Sequence, residues 1–279
     1  MRPHPETISP TAHYTGTVWV RNGLAPASFA TRQGEALYQG LRPMNAVLRA
    51  AGGPSLEAML LARHQVIDHL LDRAIAAGQI GAVVELAAGL SGRGARMAAR
   101  HGPAITYLET DLPHMADNKR AALARAGLGG EHHRVVAVDV LRDDGALSLS
   151  EACRELPLGR GLAVISEGLL NYFPRADVTT LWRRLRRVLA GFPHGLYLAD
   201  LHLEEDNQGP LTAGFRQLLS VFVRGSVHLH FADVSTCRRE LELAGFARSE
   251  LHCPEVFTDL VPAADAVSAR RVRIVEAWA

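Results

Sequence analysis

Apolar and polar residues follow two different patterns along the chain. Between Ser55 and Gly78, apolar side chains recur every three or four positions, which predicts an amphipathic helix that Ser55 caps and Gly78 ends. After Gly78, short apolar runs alternate with amphipathic stretches of helical length. Strands that alternate with helices in this way predict a mostly parallel sheet with helices on both faces.

Seven strands are expected in this sheet. The first five are predicted at Ala82–Leu86, Ile105–Glu109, Val135–Val140, Leu162–Ser166 and Leu196–Leu201. The helices between them are predicted at Gly94–His101, Met115–Ala126, Ser148–Glu155 and Asp177–Leu189. A further helix ends at Gly245, and the segments "RSELHCPEVF" and "ARRVRIVEAWA" supply a final pair of strands.

The chain before Gly78 has a different character. Up to Gly53 it is rich in Gly, Pro and aromatic residues, with helices expected around Thr11–Asn22 and Glu35–Ala51. We therefore predict an α/β fold in which a helical cap, residues 1–78, precedes a doubly wound, Rossmann-like domain, residues 79–279.

Composition narrows the function. The 279 residues are 48% hydrophobic, and 30 Lys and Arg residues against 29 Asp and Glu leave a net charge of +1. This balance argues against a nucleic-acid partner, which usually needs a basic surface. No apolar stretch has the length of a membrane span, and the N-terminus has no apolar segment typical of a secretory signal. Cys153, Cys237 and Cys253 fit neither a disulfide framework nor a zinc site, so we expect a cytoplasmic protein with reduced thiols and no metal.

The stretch "VVELAAGLSGRGARMAAR", Val83 to Arg100, combines a buried strand, a loop of small residues and the start of a helix. Ligands of open α/β sheets bind beyond the carboxyl ends of such strands, where Ala87 and Gly89 let the backbone approach closely. The loop fits either a degraded dinucleotide fingerprint (Ala87, Gly89, Gly92) or the acidic loop of S-adenosylmethionine methyltransferases. Glu85 favours the second interpretation, because a carboxylate beside a pyrophosphate is unfavourable. Glu85, Ala87 and Gly89 are therefore candidate cofactor-binding residues.

Acidic residues also stand at the ends of three later strands. Glu109 and Asp111 follow the loop by about 20 residues, the spacing at which a carboxylate binds ribose hydroxyls in such folds. Asp139 is placed to accept a hydrogen bond from an adenine amino group, with Val140 beside the ring. Glu167 ends the fourth strand and is expected to face the reaction space.

Together these segments resemble the leucine carboxyl methyltransferase family, and within it the bacterial, polyketide-associated O-methyltransferases of the tetracenomycin type. The similarity is carried by "ISPTAHYTGTVWVRNGLA", "LLARHQVIDHLL", "VVELAAGLSGRG", "YLETDLPHMADNKRAAL", "VVAVDVL" and "SEGLLNYF". It extends over most of the chain to about Phe173, and "ETDLP…K" and "SEGLLNYF" are its most specific parts.

The resemblance implies S-adenosylmethionine as the cofactor and a role for each matching residue. Arg63 would bind the methionine carboxylate, and Glu167 the methionine amino group. Asp111, or Glu109 beside it, would bind the ribose, and the pair after the third strand would bind the adenine. The segment "TAHYTGTVW" would close over the cofactor. The loop departs from the family's Gly-x-Gly pattern at Ala87, where a methyl group is tolerated if φ stays negative.

The sequence defines the acceptor side of the site less well. His202, just after the fifth strand, is the best candidate for a general base. His228 and His230 share one face if their segment is extended, but no third metal ligand accompanies them. The region Leu203–Phe231 and the N-terminal cap are expected to shape the acceptor pocket. The candidate substrate contacts are Tyr14, Trp19, Tyr172, His228 and His230.

These features predict an S-adenosylmethionine-dependent O-methyltransferase of secondary metabolism. It would methylate a carboxylate or hydroxyl oxygen of a small natural-product-like molecule, with no nucleic-acid or membrane partner. A carboxylate is slightly favoured, because it needs no base and no motif forces a histidine into the pocket. The alternatives are a nicotinamide-dependent oxidoreductase, an enzyme of the same fold that catalyses another reaction with the cofactor, and a non-catalytic protein that binds it.

Overall fold

The computed structural model of the chain describes residues 10–208 and 228–279. Its centre is a seven-stranded sheet with the strand order β3-β2-β1-β4-β5-β7-β6. The strands are β1 (Ala82–Leu86), β2 (Thr106–Asp111), β3 (His133–Ala137), β4 (Leu162–Ser166), β5 (Gly195–Leu201), β6 (Arg248–His252) and β7 (Arg273–Trp278). β1 to β5 are parallel, and β7 lies antiparallel between β5 and β6. The predicted fold class is confirmed, although residues 209–227 of the expected pocket region lie outside the described residues.

Helices cover both faces of this sheet. In chain order the described α-helices are α1 (Pro10–Arg21), α2 (Arg32–Ala50), α3 (Leu56–Ala76), α4 (Arg93–His101), α5 (Pro113–Arg125), α6 (Leu149–Ala152), α7 (Arg175–Leu189), α8 (Val234–Leu243) and α9 (Ala266–Ala269). The side chains of Thr31 and Ser55 cap α2 and α3 by accepting a backbone N–H three residues on. Among these helices none combines the length and the apolar character that crossing a bilayer requires.

The second and third strands differ from their predicted bounds. β2 continues to Asp111, which pairs there with Ala137 of β3. β3 ends at Ala137 instead of Val140, because the carboxylate of Asp139 accepts the N–H of Leu141 at 3.0 Å and turns the chain away from the sheet. Asp111, the last residue of β2, and Asp139, two residues after β3, therefore lie at the carboxyl edge of the sheet.

Alternate residues of each strand point into two separate cores. On one face, Val83 and Ile165 pack with apolar residues of α1 and α3. On the other face, Val84 and Val164 pack with residues of α6, α7 and α8, among them the fully buried Trp182. Such burial on both faces is typical of parallel strands. Helix α3 therefore shares a core with the sheet, and the boundary drawn at residue 78 stays a prediction.

The strand order changes direction at β1, which has β2 on one side and β4 on the other. Ligands of such sheets bind in the crevice beyond the carboxyl ends of the strands at this point. The segments after β1, β2, β4 and β5 converge there. Four of the predicted site residues lie here, namely Asp111 at the end of β2, and Gly89, Glu167 and His202 in the segments after β1, β4 and β5.

Helix α1 lies against the loop that follows β1. A Cβ atom on Gly16 would come within 2.9 Å of the Cβ of Leu90, and one on Gly92 would come within 2.3 Å of the carbonyl oxygen of Leu24. The absence of side chains at these two glycines permits the close approach. The N-terminal segment that the resemblance places over the cofactor thus packs directly on the predicted cofactor loop.

Candidate functional site

The loop after β1 bends through two residues in the left-handed region. Ala87 has a φ of +48° and Gly89 a φ of +50°. The condition under which the methyl group of Ala87 would be tolerated, a negative φ, is therefore not met, and an alanine in this conformation carries strain of about 1–2 kcal/mol. The loop is held to β2 by the N–H of Ala88, which donates to the carbonyl of Thr110 at 2.9 Å. Strain of this kind often marks a place where the backbone meets a ligand.

Asp111 fixes the same loop from the end of β2. Its Oδ2 accepts the N–H of Gly89 at 2.8 Å, and its Oδ1 accepts the N–H of Leu112 at 2.8 Å. Burial raises the pKa of Asp111, and the two backbone hydrogen bonds offset part of that rise. The carboxylate lies beside the loop at the edge of the sheet, which is the position expected for a ribose ligand.

Glu109 lies deeper and does not share this position. Its side chain is fully buried, with Oε1 2.8 Å from Nε2 of His133 and Oε2 2.5 Å from Nζ of Lys119. Burial would raise the pKa of Glu109, but Lys119 and His133 outweigh that effect and lower it. Lys119 also donates to the carbonyl of Gly89 at 3.4 Å. Of the two acids offered for the ribose, Asp111 therefore remains available, and Glu109 supports the loop through Lys119.

Glu85 is the cross-strand neighbour of Glu109 and is also inaccessible. Its Oε1 accepts Nη1 of Arg93 at 2.6 Å, and its Oε2 accepts the hydroxyl of Tyr107 at 2.8 Å. A direct contact with a cofactor, which the sequence suggested, does not fit a carboxylate that is only 2% exposed and already paired. Glu85 instead fixes Arg93, which in turn ion-pairs with Glu167 at 2.5 Å.

Glu167, the first residue after β4, is surrounded by donors. It accepts Nε of Arg63 at 2.9 Å and Nη2 of Arg93 at 2.5 Å, and Nδ1 of His64 lies 2.8 Å away. Burial alone would raise the pKa of Glu167, but His64, Arg93 and Arg63 hold it well below its usual range. An ionised carboxylate at this edge is suited to bind an ammonium group.

Arg63 reaches the same place from α3. Its Nη1 donates to Oδ2 of Asp200 at 2.9 Å, in addition to the bond from Nε to Glu167. Burial opposes the charge, but the two carboxylates raise the pKa of Arg63, so the guanidinium stays charged. Within the described residues, Nη2 has no hydrogen bond and faces Gly168, where an added Cβ would come within 3.0 Å. Arg63 therefore offers one nitrogen to a ligand.

Several members of this network carry no recognisable motif. Arg93 donates from Nε to Oδ1 of Asp68 at 2.5 Å, and Arg96 pairs with the same carboxylate, so that α4 is tied to α3. The ring of Trp19 in α1 stacks on His64 with centroids 4.2 Å apart. Sequence reasoning missed Arg93, His64 and Asp68. The signal available was two arginines in the first turn of the helix after the loop.

Asp139 and Val140 lie just beyond β3. Asp139 holds the turn through Leu141, and its Oδ2 lies 3.6 Å from Nε of Arg142, while the side chain remains 31% exposed. Val140 packs at the margin of one core. Their role at an adenine ring stays a prediction.

The aromatic residues predicted to contact substrate fall into two groups. Tyr14 is 1% exposed and stacks on Tyr38, and Trp19 is 4% exposed and stacks on His64. Both lie between α1 and its neighbouring helices, because α1 turns its apolar side inward, so a direct contact with substrate does not fit their burial. Tyr172, in the short helix after β4, is 37% exposed and keeps a position from which it can meet a ligand.

Three histidines gather beyond β5. Nδ1 of His202 lies 2.5 Å from the carbonyl oxygen of Arg271, and Nε2 of His230 lies 2.7 Å from the carbonyl oxygen of Phe173. The rings of His228 and His230 are stacked with centroids 6.1 Å apart. His202 and His230 are both buried, and burial lowers the pKa of each.

A separate group on β6 and β7 has the composition of a metal site: Glu250, His252 and Glu276. Nη2 of Arg73, however, donates to both carboxylate oxygens of Glu276 at 2.8 Å, and His252 lies 2.8 Å from one of them. Burial would raise the pKa of Glu276, but these partners and Trp278 lower it to about 2. This carboxylate is thus neutralised by the protein itself, as expected for an ion-pair network.

Comparison with known proteins decides the family. The model of the leucine carboxyl methyltransferase family matches residues 24–186, a span that includes the loop, Arg63, Asp111 and Glu167. The chain belongs to the leucine carboxyl methyltransferase family. A relative from Mycolicibacterium gilvum, an S-adenosyl-L-methionine-dependent methyltransferase by name, is 38% identical over 118 residues. The match covers 41% of this chain and 36% of the relative's length.

Two solved structures share the fold over nearly the whole chain. A DUF574 family protein from Streptomyces avermitilis has a TM-score of 0.65 and 13% identity, with 99% of this chain and 98% of the other covered. A protein from Thermobifida fusca, a methyltransferase by name, has a TM-score of 0.61 and 17% identity, with 96% and 97% covered. These similarities show that the chain has the Rossmann-like fold of such methyltransferases.

Proposed function

We propose that this protein is an S-adenosylmethionine-dependent O-methyltransferase that methylates an oxygen atom of a small natural-product-like molecule. The observation that carries the proposal is the Arg63–Glu167 pair beyond β4, which leaves Nη2 of Arg63 for a ligand. A bound amino-acid moiety needs this combination, because its carboxylate takes a guanidinium donor and its ammonium group takes a carboxylate. Family membership and the name of the relative support the same cofactor.

The charges around the crevice suit this cofactor. Asp111, Glu167 and Asp200 bring three carboxylates to the ends of the strands, and Arg63 lies between two of them. S-adenosylmethionine carries a sulfonium and an ammonium group against one carboxylate, so an excess of negative charge attracts it. The same charges would repel the pyrophosphate of a dinucleotide.

The remaining contacts follow from position. Asp111 binds the ribose hydroxyls, and Asp139 and Val140 flank the adenine. The backbone of Ala87 and Gly89 lines the loop beneath the cofactor. When bound, S-adenosylmethionine supplies an activated methyl group, so the residues of this chain chiefly have to align the acceptor and exclude water. The packing of α1 on the loop supports a closed site, which suits a small acceptor in cytoplasmic secondary metabolism.

Calorimetric titration with S-adenosylhomocysteine tests the cofactor assignment. The wild-type protein should bind it and should not bind NADH. Arg63→Ala should weaken binding by about 30-fold or more, because loss of a buried charge-assisted pair costs on the order of 2–4 kcal/mol. Arg73→Ala is the matched control, since Arg73 lies on the same helix and pairs with Glu276 away from the crevice.

Two results would overturn the assignment. Absence of S-adenosylhomocysteine binding by the folded wild-type protein would remove the proposed activity. If Arg63→Ala and Arg73→Ala bound S-adenosylhomocysteine with the same dissociation constant, Arg63 would have only a structural role. Circular dichroism of each variant separates a loss of binding from a loss of folding.

A further inference from the structure

His202 and His230 lie side by side beyond β5. Leu203 and Phe231, the residues that follow them, form a parallel bridge, and the N–H of Glu204 donates to the carbonyl of Phe231 at 3.0 Å. Leu203 and Phe231 are both buried in the core that contains Trp182. Successive residues of extended chain point to opposite faces, so the two imidazoles share the face away from that core.

The backbone fixes the tautomer of each ring. A carbonyl oxygen only accepts hydrogen bonds, so Nδ1 of His202 must donate to Arg271, and Nε2 of His230 must donate to Phe173. In the neutral rings the lone pairs are then on Nε2 of His202 and Nδ1 of His230. Nδ1 of His230 is buried and has no hydrogen-bond partner among the described residues. A buried polar atom without a hydrogen-bond partner is unfavourable, and a bound ligand that donates a hydrogen bond would satisfy it.

The pair adjoins the proposed cofactor site. His202 follows Asp200 by two residues, and Asp200 accepts Nη1 of Arg63 and the N–H of Gly168. Phe173, which anchors His230, directly follows Tyr172. Both imidazoles therefore lie next to the residues that would hold the methionine end of S-adenosylmethionine.

The surroundings keep both rings neutral near pH 7. Burial is the main reason that the pKa of each ring is lowered. The charged or titratable groups that face His202 are Asp200, Arg63 and Asp206, and its contact with Arg271 is through the carbonyl. Those that face His230 are His228, Arg175 and His202.

We infer that the methyl acceptor is a hydroxyl group, phenolic or alcoholic, which donates its proton to Nδ1 of His230 with Nε2 of His202 beside it. This inference rests on the proposed function and decides between its two oxygen chemistries. A carboxylate carries only lone pairs, so it would face two further lone pairs without a proton between them. A hydroxyl group supplies the donor that the buried nitrogen lacks.

The step balances within the site. The acceptor oxygen attacks the methyl carbon of the sulfonium, the carbon–sulfur bond breaks as the oxygen–carbon bond forms, and its electrons remain on sulfur as the thioether of S-adenosylhomocysteine. The hydroxyl proton passes to Nδ1 of His230, which becomes an imidazolium. Because its pKa is lowered, the imidazolium returns the proton to water after the product leaves.

Two substitutions remove the basic ring nitrogens, Nδ1 of His230 and Nε2 of His202, and keep the hydrogen bonds to the backbone. In His230→Gln, the amide nitrogen takes the place of Nε2 and still donates to Phe173. In His202→Asn, the amide nitrogen takes the place of Nδ1 and still donates to Arg271. The control is His194→Gln, since His194 is exposed and lies at the opposite end of β5.

The assay follows transfer of a labelled methyl group from S-adenosylmethionine to acceptors matched in shape. We would use 2-naphthol against 2-naphthoic acid, and hydroxyanthraquinone against anthraquinone carboxylic acid. The label should enter only the hydroxyl members, as base-stable ethers. His230→Gln should lower kcat by about 10²–10⁴-fold, with the dissociation constant of S-adenosylhomocysteine unchanged. The wild-type rate should stay level down to the usual histidine pKa and fall only at more acidic pH, because burial lowers the pKa of both imidazoles.

Base-labile label, or a kcat for His230→Gln equal to that of the control, would overturn the inference while leaving cofactor binding intact. A second measurement decides the case in which none of these acceptors reacts. In ¹⁵N spectra of the histidine-labelled complex with S-adenosylhomocysteine at pH 7, His230 should be the neutral Nε2–H tautomer and His202 the neutral Nδ1–H tautomer. An imidazolium or the opposite tautomer at His230 would exclude it as the proton acceptor.

Discussion

Glu109 and Glu167 have similar surroundings and opposite relations to the ligand site. Each buried carboxylate lies within 3 Å of a histidine and of a basic side chain, namely His133 and Lys119 for Glu109, and His64 and Arg63 for Glu167. The Glu109 cluster is closed, because all its members are buried and Lys119 is directed to the backbone of the loop. The Glu167 cluster is open, because Nη2 of Arg63 has no hydrogen-bond partner in the part of the chain that the structure describes.

The difference comes from depth along the strand. Glu109 is opposite Glu85, one residue pair below the edge of the sheet, whereas Glu167 lies beyond the end of β4. Two residues of strand correspond to about 6.6 Å. A carboxylate at the edge of the sheet, such as Glu167, can contact a ligand directly. A carboxylate one residue pair deeper, such as Glu109, can only stabilise the residues that lie between it and the ligand.

Gly94→Ala should produce the largest effect, on the closed cluster. The added Cβ would lie 2.2 Å from Oε1 of Glu109 and 2.7 Å from Nε2 of His133. Displacing a buried ion pair and overpacking its site should lower the free energy of unfolding by about 3 kcal/mol. Urea denaturation measures this loss.

Gly40→Ala is the control for that variant. Gly40 is also helical, but an added Cβ would meet nothing within 4 Å. It should therefore gain up to about 1 kcal/mol from helix propensity. A loss below 1 kcal/mol in Gly94→Ala would contradict the rigidity assigned to the Glu109 cluster.

Gly168→Ala should act on the open cluster and alter binding more than stability. Its φ is +69°, and the new Cβ would press on Nη2 of Arg63. We expect about tenfold weaker binding of S-adenosylhomocysteine, or about 1.4 kcal/mol. Gly127→Ala, at a φ of +64° with open space around it, shares the backbone strain without the contact. Equal affinities for the two variants, measured by calorimetry, would show that Nη2 does not meet the cofactor.

Ala87→Gly should give the smallest effect, on the loop between the two clusters. Relief of left-handed strain, about 1–2 kcal/mol, exceeds the entropic cost of glycine, about 0.5–1 kcal/mol. Thermal unfolding should show a net gain of about 0.5 kcal/mol. Ala88→Gly, in the same loop without a positive φ, should lose stability. Similar losses in both variants would contradict the strain at Ala87.

Sequence patterns predicted the sheet well, because apolar runs bounded by small or polar residues mark buried parallel strands with little ambiguity. β1 and β4 have the predicted bounds. The identity of the acids that face the crevice was harder to predict. Glu109 and Asp111 differ by two positions, so they share a face, and only the pairing of β2 with β3 reveals which one reaches the edge.

Long-range partners account for the other differences. The sequence predicts Glu85 as a cofactor contact, but Arg93 and Tyr107 donate to its carboxylate, and neither hydrogen bond follows from spacing in the chain. The N-terminal aromatic residues face inward because α2 and α3 pack against α1, which periodicity alone does not indicate. The sequence predicts His202 as the base, whereas the buried nitrogen that has no partner among the described residues belongs to His230. The bridge between Leu203 and Phe231 brings His230 alongside His202.

The position of β7 in the sheet also sets an order of events during synthesis on the ribosome. The sheet neighbour of β6 is β7, which is translated later. β6 therefore cannot join the sheet until β7 has been synthesised. All five parallel strands, with Arg63, Glu167 and Asp200, precede β6 in the chain and can assemble while it emerges. The ion pair between Arg73 and Glu276 then joins residues 203 positions apart. The growing chain can thus form the proposed cofactor crevice before β6 and β7 complete the sheet.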